Sequence, residues 1–266
     1  MLSTRVISAA ILLPIAALVV YLGGWAMFGA MLLVGMLAAY EYVTMLRSKE
    51  RRLSYVLTMA FAALLIADGQ WSQLGLARWG LLAFPLGILV AEVFHGNRSG
   101  SLHDWATSVT GAIYVGYTLS FFVRLRALDQ GIYWIIVAFV STWVCDTGAY
   151  FVGSAIGKHK LCPKISPKKT WEGAIGGLIS GVLTAILLSK WLLNVPVGWG
   201  ILLGVAIVLA ATFGDLAESV IKRQVNVKDS SHLIPGHGGM LDRVDSLLFV
   251  VPTVYAASRF LLPLIG

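Results

Sequence analysis

Nine mostly apolar stretches, at roughly 5–22, 25–46, 53–68, 75–95, 105–127, 131–152, 171–193, 196–222 and 244–264, take up most of this chain. Each is close to the 17–25 residues that an α-helix needs to cross a hydrocarbon layer of about 30 Å. A helix is also the form that leaves no backbone N–H or C=O unsatisfied in lipid. With 58% hydrophobic and 12% charged residues, the chain has more apolar surface than a soluble globule can bury. The runs are continuous and lack a strict period of two, which argues against a β-barrel. The expectation is an all-α, polytopic bundle of about nine transmembrane helices. It forms one membrane domain over 1–266, with the N-terminal spans in 1–130 and the motif-bearing spans and loops in 131–266. The first run is long and further spans follow at once, so it reads as an uncleaved anchor and not as a signal peptide.

Orientation follows from Lys and Arg, which stay on the cytoplasmic side in short loops. With nine spans, one side receives Arg5, the group Arg47, Lys49, Arg51 and Arg52, Arg98, the group Lys158, Lys160, Lys164, Lys168 and Lys169, and the group Lys222, Arg223, Lys228 and Arg243. The other receives only Arg78, Arg124, Arg126, Lys190 and Arg259. The N-terminus is therefore expected in the cytoplasm and the C-terminus outside. Cys145 and Cys162 fall near the cytoplasmic side, where thiols stay reduced, and two thiols are too few for a metal site. The formal charge of +7 is mostly this same bias and favours anionic membrane lipids. No separate basic domain exists, so nucleic acid is not an expected partner.

Charge is concentrated where the apolar runs break. Residues 212–246, TFGDLAESVIKRQVNVKDSSHLIPGHGGMLDRVDS, hold five acidic and four basic side chains and two His. On the expected topology Asp146, Glu172, Asp215, Glu218, Asp242 and Asp245 come to one layer near the inner membrane surface, with Glu41 and Glu92 at similar depth. Ionisable groups there are functional candidates by default. Carboxylates gathered alone would repel one another and protonate, so such a layer wants basic partners or a divalent cation, Mg²⁺ being the natural one. Asp215, Glu218, Ser219 and Lys222 share one helical face. The stripe equally suits a solvated helix end with an ordinary ion pair. Pro235-Gly236-His237-Gly238-Gly239 reads as a turn whose glycines allow close backbone approach to an anion, or as a plain tight turn.

A second polar stretch, GSAIGKHKLCPKISPKKTWEG at 153–173, carries five Lys. Thr170 and Glu172 lead into an apolar run, which sets Lys168 and Lys169 beside a helix N-terminus, a ready anion site. A plain positive-inside loop fits the same composition. It is not a P-loop: Gly153 to Gly157 is one residue short and His159 follows Lys158 where Ser or Thr belongs. Gly173, Gly177 and Gly181, like Gly200 and Gly204, have the spacing of close helix packing.

The run Ser219, Lys222, Arg223, Lys228, Asp229, Pro235, His237, Gly238, Gly239, Asp242, Arg243 and Asp245 resembles the signature of the phosphatidate cytidylyltransferases, also called CDP-diacylglycerol synthases. The resemblance extends to CDTGAYFVG at 145–153 and SPKKTWEG at 166–173. The pattern departs at Ser231, where Gly is more usual, which bears on the flexibility of that loop. The resemblance implies Mg²⁺-dependent transfer of a cytidylyl group from CTP to phosphatidic acid, giving CDP-diacylglycerol and pyrophosphate at the cytoplasmic face of the inner membrane. Under it, Asp215 and Asp242 hold the metal, with Asp245 or Asp146 completing or supporting its shell. Lys168, Lys169, Lys222, Arg223 and Arg243 clamp phosphates, and Ser219, Lys228, His237, Gly238 and Gly239 make lesser substrate contacts. A second cation and a homodimer are left open.

Two other readings are weighed against this one. A CDP-alcohol phosphotransferase carries clustered Asp residues around DG and AR dipeptides on one helix, and no such run occurs. A transporter places its carboxylates near midplane between inverted repeats of broken helices, whereas the charges here lie at one face.

Overall fold

The computed structural model describes residues 2–47, 53–94, 100–234 and 238–265. Of the described residues, 82% are helical. In order, the helices are α1 (Leu2–Leu22), α2 (Gly24–Leu46), α3 (Tyr55–Gln70), α4 (Leu76–Phe94), α5 (Ser101–Ala112), α6 (Thr118–Arg126), α7 (Gly131–Ile156), α8 (Trp171–Leu193), α9 (Val197–Gln224), the single turn α10 (Leu241–Val244) and α11 (Leu247–Ile265). A π-helical turn, Ile113–Tyr117, joins α5 to α6 into one span.

Among the described residues, seven helical segments are long and apolar enough to cross a membrane: Gly24–Leu46, Leu76–Phe94, Ser101–Arg126, Gly131–Ile156, Trp171–Leu193, Val197–Gln224 and Leu241–Leu261. The chain is a multi-pass membrane protein. Where nine spans are expected, α3 has 16 residues and so reaches about 24 Å, short of a layer of about 30 Å.

The expectation of an all-α fold needs one correction. Between α7 and α8 the chain forms an antiparallel hairpin of β1 (Lys160–Cys162) and β2 (Ser166–Thr170), with Lys160 opposite Thr170 and Cys162 opposite Ser166. Pro163 and Pro167 deny this segment the N–H donors a helix would require. Thr170 then caps α8 by accepting from the Gly173 amide at 3.2 Å, an N-cap contact of about 1 kcal/mol.

The chain divides into two compact units. One comprises residues 1–124 and 229–243, the other 125–228 and 244–266. In the first, α3 is the central element: Phe61, Ala62, Leu65 and Ile66 are fully buried. The π turn packs on it through Gly116, where a Cβ would lie 2.6 Å from the Ala62 Cα. Buried Asp68, near the end of α3, pairs with Arg124 and accepts from the Ala77 amide at 2.8 Å. In the second unit α7, α8, α9 and α11 pack together. Gly177 and Gly181 of α8 lie against Cys145, and Gly204 of α9 against Val182, each too close to admit a Cβ without movement. The small-residue spacing is packing, as expected. Cys145 and Cys162 are free thiols, also as expected.

Candidate active site

Within the second unit, a cavity of about 470 Å³ opens at the ends of α7 and α9 and the start of α8. Its walls are Cys145, Asp146, Ala149, Tyr150 and Gly153 of α7, Lys168 and Lys169 of β2, Thr170, Gly173 and Gly177, and Thr212 and Asp215 of α9. Space there depends on small residues: a Cβ on Gly173 would sit 2.8 Å from the Ala149 carbonyl oxygen.

The charges in this cavity are arranged rather than scattered. The Lys169 ammonium lies 2.7 Å from an Asp215 carboxylate oxygen, with both side chains partly open to solvent. Asp146 and Asp215 act electrostatically on each other, and Asp245 on both. Asp245 comes from the turn between α10 and α11. That turn reaches α9 because residue 214 is glycine: a Cβ there would be 2.8 Å from the Asp245 carbonyl oxygen and 2.9 Å from the Ser246 Cα. Ser219 donates to Asp215 over a long 3.4 Å. Two carboxylates, Asp146 and Asp215, and two ammonium groups, Lys168 and Lys169, line the cavity, with buried Asp245 within electrostatic reach of both acids.

Among the described residues, no three His, Cys, Asp or Glu side chains form a ready-made metal cage. Mg²⁺ does not require one, since it is usually held by one or two carboxylates and completes its shell with water and substrate phosphates. Asp146 and Asp215, the carboxylates that line the cavity, are oxygen donors of the kind that ion takes.

The basic residues expected to clamp phosphates lie in different surroundings. Lys168 is exposed and lines the cavity beside Lys169. Lys222 is buried and pairs with buried Glu218 one turn back. Arg223 ties down the hairpin: its Nε donates to the Ile165 carbonyl at 3.2 Å and its Nη1 to the Val227 carbonyl at 2.9 Å. At the other end of the hairpin, the His159 amide and ring nitrogen both meet Glu172, the ring at 2.6 Å. Lys228 is exposed just after α9.

The remaining expected residues belong to the first unit. Asp242 has one carboxylate oxygen taken up by the Ser230 amide and hydroxyl, both at 2.9 Å, and by the Gly239 amide at 2.8 Å. Gly238 has φ +79°, a left-handed conformation that favours glycine. Arg243 is exposed on α10. His237 lies outside the described residues. Sequence reasoning missed the weight of Glu41, which receives this loop from within α2, and of Gly214. An isolated carboxylate in an otherwise apolar run was the available signal for the first.

A model of the cytidylyltransferase family matches residues 3–261. The chain belongs to that family. Among its relatives, the phosphatidate cytidylyltransferase of Synechocystis sp. is 35% identical over 294 residues, spanning 98% of each chain. That of Bacillus subtilis is 34% identical over 228 residues, 84% of each chain. That of Staphylococcus aureus is 42% identical over 187 residues, 69% of this chain and 70% of its own. Family membership covers both units, so the cavity and the 229–243 loop alike fall within the shared region.

Proposed function

We propose that this protein transfers the cytidylyl group of CTP to phosphatidic acid, releasing pyrophosphate and CDP-diacylglycerol. The observation that carries the reading is the cavity in which Lys168 and Lys169 face the carboxylates of Asp146 and Asp215, in a chain related to phosphatidate cytidylyltransferases along its length. A phosphate oxygen of phosphatidic acid forms a bond to the α-phosphorus of CTP, and the bond from that phosphorus to the bridging oxygen breaks. Pyrophosphate leaves with the electron pair. The attacking phosphate is already ionised at neutral pH, so no strong general base is needed.

What the site must do is position the two phosphates and neutralise charge on the leaving group. Lys168 and Lys169 are the groups for that task, since ammonium side chains in β2 border the space where an anion would lie. Asp215, supported by Asp146 and Asp245, is assigned to Mg²⁺, and Asp242 keeps its place in the metal set on the resemblance alone. Bound there, Mg²⁺ would neutralise phosphate charge and hold the triphosphate in line. Lys222 and Arg223 act through structure, by pairing with Glu218 and by holding the hairpin. The proposed orientation has nine membrane-embedded helices, the N-terminus in the cytoplasm and the cavity at the cytoplasmic face of the inner membrane, where CTP arrives from solution and phosphatidic acid from the leaflet.

Purified protein in detergent micelles, given CTP, phosphatidic acid and Mg²⁺, should release pyrophosphate in step with CDP-diacylglycerol. Micelles enclose no compartment, so product also separates an enzyme from a transporter. No product under these conditions overturns the reading.

A further inference from the structure

Glu41, the one carboxylate of α2, is 2% exposed, and among the described residues the hydrogen bonds it accepts come from the 230–241 segment. One oxygen accepts from the Ser230 hydroxyl at 3.0 Å and the Leu241 amide at 2.8 Å. The other accepts from the Ser231 hydroxyl at 2.6 Å and the Met240 amide at 2.9 Å. Its partners lie some two hundred residues away in sequence, at both ends of one loop. A buried ionised carboxylate is tolerated only with its lone pairs satisfied by good donors, and this loop supplies them.

The contact reaches the residues assigned to the reaction. Ser230 has one hydroxyl hydrogen and two carboxylates within reach, Glu41 at 3.0 Å and Asp242 at 2.9 Å, so what it gives to one it withdraws from the other. Asp242 in turn holds the Gly239 amide at 2.8 Å. Gly239 sits so close that a Cβ would fall 2.0 Å from the Ser230 Oγ and 2.5 Å from the Glu41 Oε2. The backbone that leads into Asp242, and the serine that donates to it, are therefore set by one side chain on another helix.

We propose that Glu41 is a positioning residue for the cytidylyl transfer: it touches no substrate, and by fastening Ser230, Ser231, Met240 and Leu241 it fixes the loop that carries Gly238, Gly239, Asp242 and Arg243. Glu41→Gln keeps the size of the side chain but sets an NH₂ group against donors that one carboxylate oxygen now accepts from. The inference rests on the proposed transfer for its kinetic arm only, and hydrogen exchange tests it without turnover.

In Glu41→Gln, amides in 229–243 should exchange at least about 10-fold faster while those of α3 and α5 keep their wild-type rates. Turnover should fall about 100-fold in kcat with KM for CTP within about threefold, as expected when geometry and not substrate contact is lost. Glu41→Asp, which keeps the charge, should recover part of kcat. Unchanged exchange in the loop, or faster exchange spread equally over α3 and α5, overturns the proposal, as does kcat within about twofold of wild type. If Glu41→Gln does not accumulate, Ser231→Ala removes one of the four donors at the loop surface. Faster loop exchange in that variant supports the proposal and unchanged exchange overturns it. A wild-type enzyme that makes no CDP-diacylglycerol defeats the transfer reading, and the exchange result still decides the role of Glu41.

Discussion

Asp215 is the residue on which the charges of the second unit converge, meeting Lys169 directly and Asp146 and Asp245 through space. Asp215→Asn keeps the shape and removes the charge, so it should cut kcat/KM by about 100- to 1000-fold, the scale of losing one electrostatic contact to a developing charge. Its thermal midpoint in detergent should stay near wild type, because a partly exposed ion pair contributes only about 0–1 kcal/mol to stability. Wild-type turnover of labelled CTP in that variant would remove Asp215 from the metal set. Much of this was legible in the sequence, because acidic side chains at the breaks between apolar runs have few structural uses. Gly214 was not legible. A glycine before an aspartate in a long helix carries no mark of the close approach it permits, and only the neighbouring Asp245–Ser246 turn, 2.8 Å from where a Cβ would be, explains it. The same limit applied to Arg223, whose charge suggested phosphate but whose partner in the hairpin, the carbonyl of Ile165, becomes a neighbour only on folding, whereas the Glu218–Lys222 pair one turn apart was one of the two readings of that helical face.

At the scale of elements, the hairpin is what sets two lysines of a lysine-rich loop on the wall of the cavity. Apolar periodicity locates membrane helices well, since a run of one composition can be satisfied in lipid in only one way. It says nothing about a short polar segment, whose strands are held by a few contacts from elsewhere. Here those are Glu172 with His159 at the base and Arg223 at Ile165. Removing the second should let β2 and its lysines move. Arg223→Ala is therefore expected to raise KM for CTP about 10-fold with a smaller change in kcat, the pattern of lost binding rather than lost chemistry. Arg223→Lys should not restore it, because a single ammonium cannot reproduce the forked donors that reach two carbonyls. Michaelis profiles of both variants decide it, and a wild-type KM in Arg223→Ala would mean that the hairpin keeps its place without the tether.

For the whole molecule, the outstanding question is which way the chain faces. The bias of Lys and Arg assigns the hairpin and the end of α9 to the cytoplasm, and α8 offers a clean test because it runs unbroken for 23 residues, about 35 Å at the helical rise, enough to separate its two ends by a full membrane. Lys164, in the hairpin turn just ahead of it, and Lys190, in its last turn, are both exposed. Single cysteines at these positions, introduced after Cys145→Ser and Cys162→Ser, should respond oppositely to a membrane-impermeant maleimide. Lys164→Cys should react in inverted vesicles and be protected in right-side-out ones, and Lys190→Cys the reverse. Labelling of both from one side would mean that α8 does not cross. The opposite pattern would put the cavity on the outer face, away from any supply of CTP, and would overturn the proposed reaction together with the orientation, since Lys168 and Lys169 lie only a few residues from Lys164 on the same strand pair.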